Sequence, residues 1–323
     1  MTLPPRRSCR PTLLIVGCGD VGMRVLRLLQ PQWRVFALTS SPARMAQLRQ
    51  RGAVPVLGDL DQPASLARLH TMLRLADAVL HLAPPPATGS IDTRTQHLLR
   101  LLARASALQR LVYGSTSGVY GDCGGAWVDE TRPLAPATAR AQRRVDAEAQ
   151  LRHFGRRTGT RVNVLRIPGI YASDRPGGHP RERLLRSTPV LRPEVDVFTN
   201  HIHADDLARA CVAALWRGAP QRVYHTSDNT ELKMGDYFDL AADLCALPRP
   251  PRLSRAEAAE QLSPMAQSFL GESRRLHNRR LREELRLKLR YPTVVQGLQD
   301  RATEITPAVV QPMPGALFAM GGD

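Results

Sequence analysis

The strongest constraint on the fold of this 323-residue chain is an apolar run that ends in three spaced glycines. Residues 13–16 read Leu-Leu-Ile-Val, the glycines are Gly17, Gly19 and Gly22, and residues 23–29 have helical spacing. A strand, a tight glycine turn and a helix in this order form a site for a dinucleotide pyrophosphate. In such a site Gly17 permits the turn, Gly19 lets the backbone approach the phosphates, and Gly22 lets the helix pack close to the strand.

The start of the helix after this turn is the second part of the prediction. The N–H groups of Asp20, Val21 and Gly22 lack helical partners and carry a partial positive charge that attracts phosphate. We therefore predict that residues 17–22 bind a nucleotide. The alternative is a tight turn between a strand and a helix that binds nothing.

Short apolar runs alternate with helical patterns through the first half of the chain. The predicted strands are residues 12–16, 34–38, 54–57, 78–82, 110–113 and 161–165. The predicted helices are residues 21–30, 42–51, 64–73, 92–105 and 137–154. This alternation predicts an α/β fold with a doubly wound parallel Rossmann-type sheet, in which ligands bind at the carboxyl ends of the strands.

The alternation ends after about residue 170. We predict a Rossmann-type dinucleotide-binding domain over residues 1–170 and a smaller mixed α/β substrate lobe over residues 171–306. A loose tail is expected over residues 307–323, which are rich in Pro, Gly and Ala. Within the second region the predicted elements are strands at 195–202 and 222–225, a helix at 206–216 between them, and mainly helices over 233–290.

The net charge of +16 raises the question of nucleic-acid binding. Lys233 and Lys288 are the only lysines, and the arginines are spread along the chain rather than gathered in a block with aromatic residues. This distribution makes nucleic acid an unfavoured partner. The densest basic stretch, residues 274–290, also holds Glu283 and Glu284 and has leucines at helical spacing, which predicts a solvated amphipathic helix.

Location follows from what the sequence lacks. No apolar run reaches the ~18 residues of a membrane helix, and the apolar segment after the basic N-terminus is too short for a signal peptide. Five widely spaced cysteines without a C-x-x-C pair are typical of reduced thiols. We therefore expect a cytoplasmic protein without a membrane partner that is a monomer or a homodimer.

The end of the second predicted strand bears on the choice of dinucleotide. NAD sites commonly carry Asp or Glu there, whereas residues 38–44 read Leu-Thr-Ser-Ser-Pro-Ala-Arg. Thr39 and Arg44 could bind a 2′-phosphate, so NADP is favoured over NAD. In the alternative interpretation, Ser41 and Pro42 only begin a helix and Arg44 only lies at the surface.

Two later strand ends complete the predicted cofactor site. Asp59 could accept a hydrogen bond from the adenine amino group, and Leu60 could cover the adenine ring. Asp59 is equally suited to cap the following helix. After the fourth strand, Ala83 leaves room for the cofactor.

Taken in order, these motifs resemble the short-chain dehydrogenase/reductase superfamily. The further matching segments are residues 58–60 (Gly-Asp-Leu), 111–121 (Leu-Val-Tyr-Gly-Ser-Thr-Ser-Gly-Val-Tyr-Gly), 165–171 (Leu-Arg-Ile-Pro-Gly-Ile-Tyr) and 203–207 (His-Ala-Asp-Asp-Leu). The second of these is similar to the S-T-S-x-V-Y-G signature of the extended branch, the NAD-dependent epimerase/dehydratases. The resemblance spans residues 13–298 and implies an NAD(P) cofactor.

The resemblance also implies which residues react. Thr116 matches the catalytic Ser/Thr position, whose hydroxyl bonds a substrate oxygen. The family's Y-x-x-x-K pair aligns with Arg140 and Arg144, a departure from the pattern. Arg144 could still bond ribose hydroxyls, whereas an arginine such as Arg140 cannot serve as a general acid near neutral pH. The two guanidinium groups could hold an anion, or both could point to solvent with the catalytic centre lost.

Other tyrosines could replace the missing one. Tyr171 follows the sixth strand and is our candidate proton donor, with Tyr113 and Tyr120 on either side of Thr116 as further options. Tyrosines in such positions are more often packing aromatics than acids. His201, His203 and Asp205 lack a closed ligand set, so no metal site is predicted.

Residues 273–281 and 289–293 are similar to the C-terminal stretch of an atypical group of this branch. Members of that group often lack the Y-x-x-x-K pair and have no assigned reaction. Our first hypothesis is an NAD(P)-dependent oxidoreductase or epimerase/dehydratase acting on a sugar-like or anionic small molecule. The second is a non-catalytic NAD(P)-binding sensor or scaffold, because both Tyr and Lys are missing from the helix.

Overall fold

A computed structural model describes residues 10–73, 76–104 and 108–299. The predicted tail over residues 307–323 and most of the basic N-terminus lie outside the described residues.

Seven parallel strands form the central sheet. They are β1 (Thr12–Val16), β2 (Arg34–Thr39), β3 (Val54–Leu57), β4 (Ala78–His81), β5 (Arg110–Thr116), β6 (Arg161–Ile167) and β7 (Arg222–His225). Their order is β7-β6-β5-β4-β1-β2-β3, with parallel pairing throughout. The predicted doubly wound Rossmann-type sheet is therefore confirmed, and its strand order reverses between β1 and β4, where such sheets bind ligands.

Helices cover both faces of the sheet because successive strand residues point to opposite sides. Leu13 and Ile15 of β1 pack in one apolar cluster with helices Asp20–Leu29 and Ala204–Arg217. Leu14 and Val16 pack in another with helices Thr93–Leu102 and Ala139–Thr158. The remaining helices are Arg44–Gln50, Ala67–Leu73, Arg181–Leu185, Met234–Cys245, Arg255–Gln261, Pro264–Leu270, Arg279–Glu283 and Val294–Gln299.

Short elements beyond the central sheet build the rest of the molecule. Short strands pair as Trp127–Val128 with Arg275–Leu276, Gly169–Tyr171 with His201–His203, Val190–Leu191 with Arg252–Leu253, and Phe198–Thr199 with Leu232–Lys233. Single 3-10 turns lie at Pro63–Leu66, Ser117–Tyr120 and Pro193–Val195. The predicted strand over 195–202 is thus divided between two short strands in different pairs.

β7 comes from the second predicted region, yet it pairs with β6 of the first. Both regions therefore contribute to one sheet.

The structure also differs from the amphipathic helix predicted over residues 274–290. Only Arg279–Glu283 is helical there. After it, buried Leu285, Leu287 and Leu289 alternate with exposed cationic residues. A period of two is typical of extended chain. The stretch resembles one face of a helix because Leu281 lies four residues before Leu285.

Candidate active site

The glycine turn after β1 has the geometry of a phosphate cradle. Gly17 has φ +85°, and a Cβ on it would lie 2.4 Å from the backbone nitrogen of Ala83, after β4. A Cβ on Gly19 would meet no atom within 4 Å, so the space beside this glycine is open. At Gly22 a Cβ would lie 3.3 Å from the Ile15 side chain, which shows how closely the helix packs on its strand. The three glycines thus differ in their surroundings.

The helix start after the turn is available to an anion. No side chain caps Asp20–Leu29 at its N-cap residue Gly19. The Asp20 carboxylate points elsewhere: Arg24 Nε donates to it at 3.1 Å and Arg175 Nη1 at 2.6 Å. The N–H groups of Asp20 and Val21 therefore remain the groups that a pyrophosphate would meet.

Arg24 is a functional candidate that sequence reasoning missed. Its guanidinium is nearly buried and pairs with Asp20, with Asp174 at 2.5 Å, and with Asp205. Burial opposes the charge, yet the bonds to Asp174 and Asp205 raise the pKa of Arg24 above its usual value. The only local signal was the four-residue spacing from Asp20, because both other partners lie more than 140 residues away.

The end of β2 brings Arg44 onto the glycine turn. Its Nη2 donates to the Cys18 carbonyl at 2.7 Å, while the Thr39 hydroxyl accepts from the Ser41 N–H at 3.2 Å. The helix begins at Arg44, rather than at Ser41 and Pro42. Burial raises the pKa of the Cys18 thiol to about 11, against a smaller lowering by Arg44. A cation therefore lies beside the turn, and the thiol inside it is a packing group at neutral pH.

On the other side of the turn, Arg94 links the segments that follow β3 and β4. Asp59 Oδ1 accepts from the Asp61 N–H at 2.9 Å, and the next 3-10 turn begins only at Pro63, so Asp59 does not cap it. Leu60 is buried. Arg94 donates to Asp61 at 2.5 and 2.8 Å and to the Pro84 carbonyl at 3.0 Å, which fixes the loop after Ala83.

Thr116 is the last residue of β5. Its Oγ1 accepts from the Gly118 N–H at 3.2 Å and thereby caps the short turn Ser117–Tyr120. The side chain is half-buried. The predicted catalytic hydroxyl therefore lies at the carboxyl edge of the sheet, with a fixed orientation.

Arg144 and Arg140 lie near the start of helix Ala139–Thr158, which Thr138 caps through a bond from the Ala141 N–H. Arg144 Nη1 donates to the Tyr113 hydroxyl at 2.9 Å and to the Gly114 carbonyl at 2.6 Å. Its guanidinium is therefore held at the end of β5. Arg140 is exposed and stacks on the Phe269 ring, 4.9 Å from the centroid. The structure thus brings Arg144 to the site and turns Arg140 towards a later part of the chain.

A buried polar chain lies beneath Arg144. His81, at the end of β4, bonds the Thr95 hydroxyl at 2.9 Å, and that hydroxyl donates to Asp92 at 2.8 Å. Burial, with a smaller effect of Arg144, lowers the pKa of His81 to about 3. Burial also raises the pKa of Asp92. His81 is therefore neutral at physiological pH.

Tyr120 has a structural setting. Its hydroxyl bonds His225 Nε2 at 2.5 Å and accepts from Arg166 Nη1 at 2.6 Å. Arg166 in turn donates to Glu148 at 2.7 and 3.2 Å, and both residues are almost fully buried. Burial raises the pKa of Tyr120 to about 12. This buried network joins β6, β7 and helix Ala139–Thr158 behind Thr116.

Tyr171 does not reach the end of β5. It is 2% exposed, and its hydroxyl lies 3.4 Å from both Asp228 Oδ2 and the Thr293 carbonyl oxygen. Burial raises the pKa of Tyr171 well above its usual value. The same holds for Tyr113, which is fully buried under Arg144. Neither phenol has the exposure that a proton donor to substrate needs.

The histidines considered as metal ligands have other roles. His203 Nδ1 accepts from the Asp205 N–H at 3.2 Å and so caps helix Ala204–Arg217. Among the described residues no group of three His, Cys, Asp or Glu side chains is arranged to hold a metal ion. Within the same residues, no helix combines the length and apolarity needed to cross a bilayer.

The strand order, the glycine turn and the polar strand ends define a Rossmann-type dinucleotide fold. The family model described as "NAD dependent epimerase/dehydratase family" matches residues 13–226, and this chain belongs to that family. The resemblance seen in the motifs is thereby confirmed.

The chain is also similar to several individual proteins. A conserved protein of unknown function from Silicibacter pomeroyi is 33% identical, with a TM-score of 0.75 over 90% of this chain and 97% of that one. Protein YeeZ of Escherichia coli K12 is 25% identical over 242 residues, covering 73% of this chain and 84% of YeeZ. The structure of MoeE5 with UDP-glucose and NAD is 21% identical, with a TM-score of 0.69 over 89% of this chain and 96% of that one, and shows the shared fold.

Proposed function

We propose that this protein binds NAD(P) and acts as an oxidoreductase or epimerase/dehydratase on a sugar-like small molecule. The observation that carries the proposal is the glycine turn, in which Gly17 is closed against Ala83 while the space beside Gly19 is open. A nicotinamide dinucleotide bound there would supply a hydride acceptor or donor. The nucleotide-sugar class is supported by MoeE5, whose structure holds UDP-glucose and NAD.

The residues that would hold the dinucleotide surround this turn. The N–H groups of residues 20–22 would meet the pyrophosphate, and Arg144 would bond ribose hydroxyls from the end of β5. The remaining predicted contacts are Thr39, Arg44, Asp59, Leu60 and Ala83. Because Arg44 already lies on the Cys18 carbonyl, a 2′-phosphate would find a cation close to the turn, which supports NADP over NAD.

Thr116 would orient the reacting hydroxyl or carbonyl of the substrate. Its own bond from Gly118 uses only one lone pair of Oγ1, so the hydroxyl hydrogen stays free to donate to a substrate oxygen. Arg144 lies on the adjacent Gly114 carbonyl and adds positive charge at this strand end. An anionic or polyhydroxyl substrate suits such surroundings.

Two measurements test this proposal. NADPH and NADH are titrated into the purified protein, with nicotinamide fluorescence and melting temperature as readouts, and UDP-glucose is then added with NAD(P)⁺ to follow turnover. Thr116→Ala should lower turnover by ~100-fold, typical of losing one aligned donor, and leave cofactor binding unchanged. The matched control is Thr131→Ala, which removes an exposed hydroxyl bonded to Asp129 and should change neither.

A protein that responds to neither NADPH nor NADH would contradict the proposal. Tighter binding of NADH than of NADPH would contradict the preference for NADP alone.

A non-catalytic NAD(P)-binding sensor is the second candidate. It is favoured by Arg140, which occupies the tyrosine position and stacks on Phe269 instead of facing Thr116. This function predicts cofactor binding without turnover of any nucleotide sugar. Turnover that falls in Thr116→Ala would eliminate it.

A further inference from the structure

The catalytic strand end, defined as Thr116 with Gly118 and the helix positions Arg140 and Arg144, lacks a tyrosine that can exchange a proton. We propose that Glu272 is the proton-transferring residue of this site and that it acts on a substrate hydroxyl oriented by Thr116. This inference rests on the proposed function. It assigns a catalytic role to a carboxylate in the C-terminal part of the chain.

The segment that carries Glu272 is fixed against the chain that follows β5. The Ser273 N–H donates to Asp122 Oδ1 at 2.8 Å, and the Ser273 carbonyl accepts from Cys123 and Gly125, each at 3.0 Å. Arg274 Nη1 donates to the Gly121 carbonyl at 2.8 Å. These bonds place residues 272–274 directly beside the S-T-S-x-V-Y-G segment.

The Glu272 carboxylate lies next to the predicted catalytic hydroxyl. A Cβ built on Gly118 would be 3.6 Å from Glu272 Oε2 and 3.6 Å from Thr116 Oγ1, so both oxygens border the position that a side chain on this glycine would fill. Arg274 Nη1 holds Oε2 at 2.9 Å, and the Glu272 side chain is 11% exposed. A carboxylate in a fixed, largely enclosed position is therefore available beside Thr116.

The same segment also reaches the position of the missing tyrosine. Phe269, at the end of helix Pro264–Leu270, carries the Arg140 guanidinium on its ring. Residues 269–274 consequently contact the chain that follows β5 at one point and the start of helix Ala139–Thr158 at another. Arginine cannot exchange protons near neutral pH. A carboxylate is one of the side chains that general acid–base catalysis uses.

The proton balance shows what Glu272 would do. A bound nicotinamide dinucleotide supplies the acceptor for the hydrogen and electron pair that leave a hydroxyl-bearing carbon. As the C=O bond forms, the O–H bond breaks and its proton moves from the substrate oxygen to a Glu272 carboxylate oxygen. In the reverse direction the protonated carboxyl returns that proton to the developing alkoxide.

A merely structural role for Glu272 would act through Arg274, its ion-pair partner. The two roles differ in what Glu272→Gln changes. A glutamine cannot accept the substrate proton but can still accept a hydrogen bond from Arg274, so the segment should stay in place. Arg274→Gln removes the partner and keeps the carboxylate.

The test uses full-length protein with NAD(P)⁺ and UDP-glucose as the probe. We expect Glu272→Gln to lower kcat by ~100-fold or more, within the usual range for general acid–base catalysis, with less than ~3-fold change in KM. Binding of UDP-glucose in the presence of NAD(P)H, followed by calorimetry, should change equally little. Glu272→Asp should restore part of kcat, and the exposed Glu283→Gln is the matched control.

Each outcome decides the matter. Wild-type kcat in Glu272→Gln would overturn the proposal, as would an equal loss of kcat in Arg274→Gln with a lowered melting temperature in both. If Glu272→Gln fails to fold, Glu272→Asp decides: wild-type or absent turnover contradicts the role, and a partial loss supports it. NAD(P)H binding without UDP-glucose binding overturns this inference, whereas absence of NAD(P)H binding overturns the proposed function itself.

Discussion

The glycine turn and the catalytic strand end lie at the same carboxyl edge of the sheet, but they are built differently. In the turn, backbone geometry determines the shape, because Gly17 adopts φ +85° and Gly19 leaves open space beside it. At the strand end, we propose that side chains carry the chemistry, and the resemblance aligns Arg140 and Arg144 with the Y-x-x-x-K pair. The proposed binding region therefore depends on backbone shape, while the proposed reacting region depends on which side chains are present.

From this difference we propose that cofactor binding and reactivity are separable in this chain. Arg144 remains at the end of β5 through its bonds to Tyr113 and Gly114, where a cation can still position a ribose. Arg140 leaves the site and stacks on Phe269. A dinucleotide site can therefore persist whether or not the proton-transfer group is replaced.

The largest expected effect lies behind the catalytic strand end. Arg166→Met should lower the free energy of unfolding by about 3–5 kcal/mol, because it leaves the buried Glu148 carboxylate without its main partner. Arg279→Met is the control: its pair with Glu283 is exposed and screened by solvent, so its loss should leave the free energy of unfolding nearly unchanged. Urea denaturation measures both. Equal losses would show that the buried network does not support this region.

A smaller effect should separate two glycines of the turn. Gly17→Ala forces a left-handed backbone and a 2.4 Å contact on Ala83, so it should cost about 2–3 kcal/mol of stability and abolish NAD(P)H binding. Gly19→Ala has room in the free protein and should leave the melting temperature unchanged, while weakening NAD(P)H binding by ~10-fold. Unfolding in urea and fluorescence titration measure the pair. Similar stability in both variants would contradict the assigned roles.

The smallest expected effect is the pH dependence of stability that arises from His81, which lies beneath the catalytic strand end. The folded protein keeps His81 neutral down to about pH 3, whereas the unfolded chain protonates it below pH 6.5. Stability is therefore lost as pH falls from 6.5, by ~1.4 kcal/mol per pH unit for this histidine. His81→Gln should reduce the slope of unfolding free energy against pH between 6 and 5 by about that amount.

Other groups titrate in the same range, so the difference between variant and wild type is the quantity to measure. Burial lowers the pKa of His201 and His225 to about 3 as well, which adds to the loss in acid. Burial raises the pKa of Asp228 to about 7, so Asp228 contributes stability that is lost as pH rises through 7. An unchanged slope in His81→Gln would show that this histidine is not held neutral.

Local patterns predicted the parts of the molecule that local physics determines. The β–α alternation gave the strands of the central sheet, and the glycine spacing gave the turn, because each depends on neighbours within a few residues. The Arg24 cluster joins Asp20 to Asp174 and Asp205, and Glu272 reaches Gly118 from the far end of the chain. No short-range pattern encodes such contacts, since they arise only when distant segments pack together.

Helical spacing misled the prediction where two periods overlap. Leu281 and Leu285 are four apart, as on a helix, but Leu285, Leu287 and Leu289 also follow the period of a strand. Tertiary packing favours the period of a strand, since the side chains of Leu285, Leu287 and Leu289 are all buried in the cluster beneath helix Ala204–Arg217.

The seventh strand has a consequence for how this molecule can be divided. β7 is made of residues 222–225, yet it covers the free edge of β6 and supplies His225 to the Tyr120 hydroxyl. A fragment ending near residue 170 would leave the backbone N–H and C=O groups along one edge of β6 unpaired, where another chain could pair with them. It would also remove His225, the partner of the buried Tyr120 hydroxyl. If the region after residue 170 is exchanged between relatives, β7 is exchanged with it. The residues that β7 contacts, on β6 and at Tyr120, therefore have to come from the same relative.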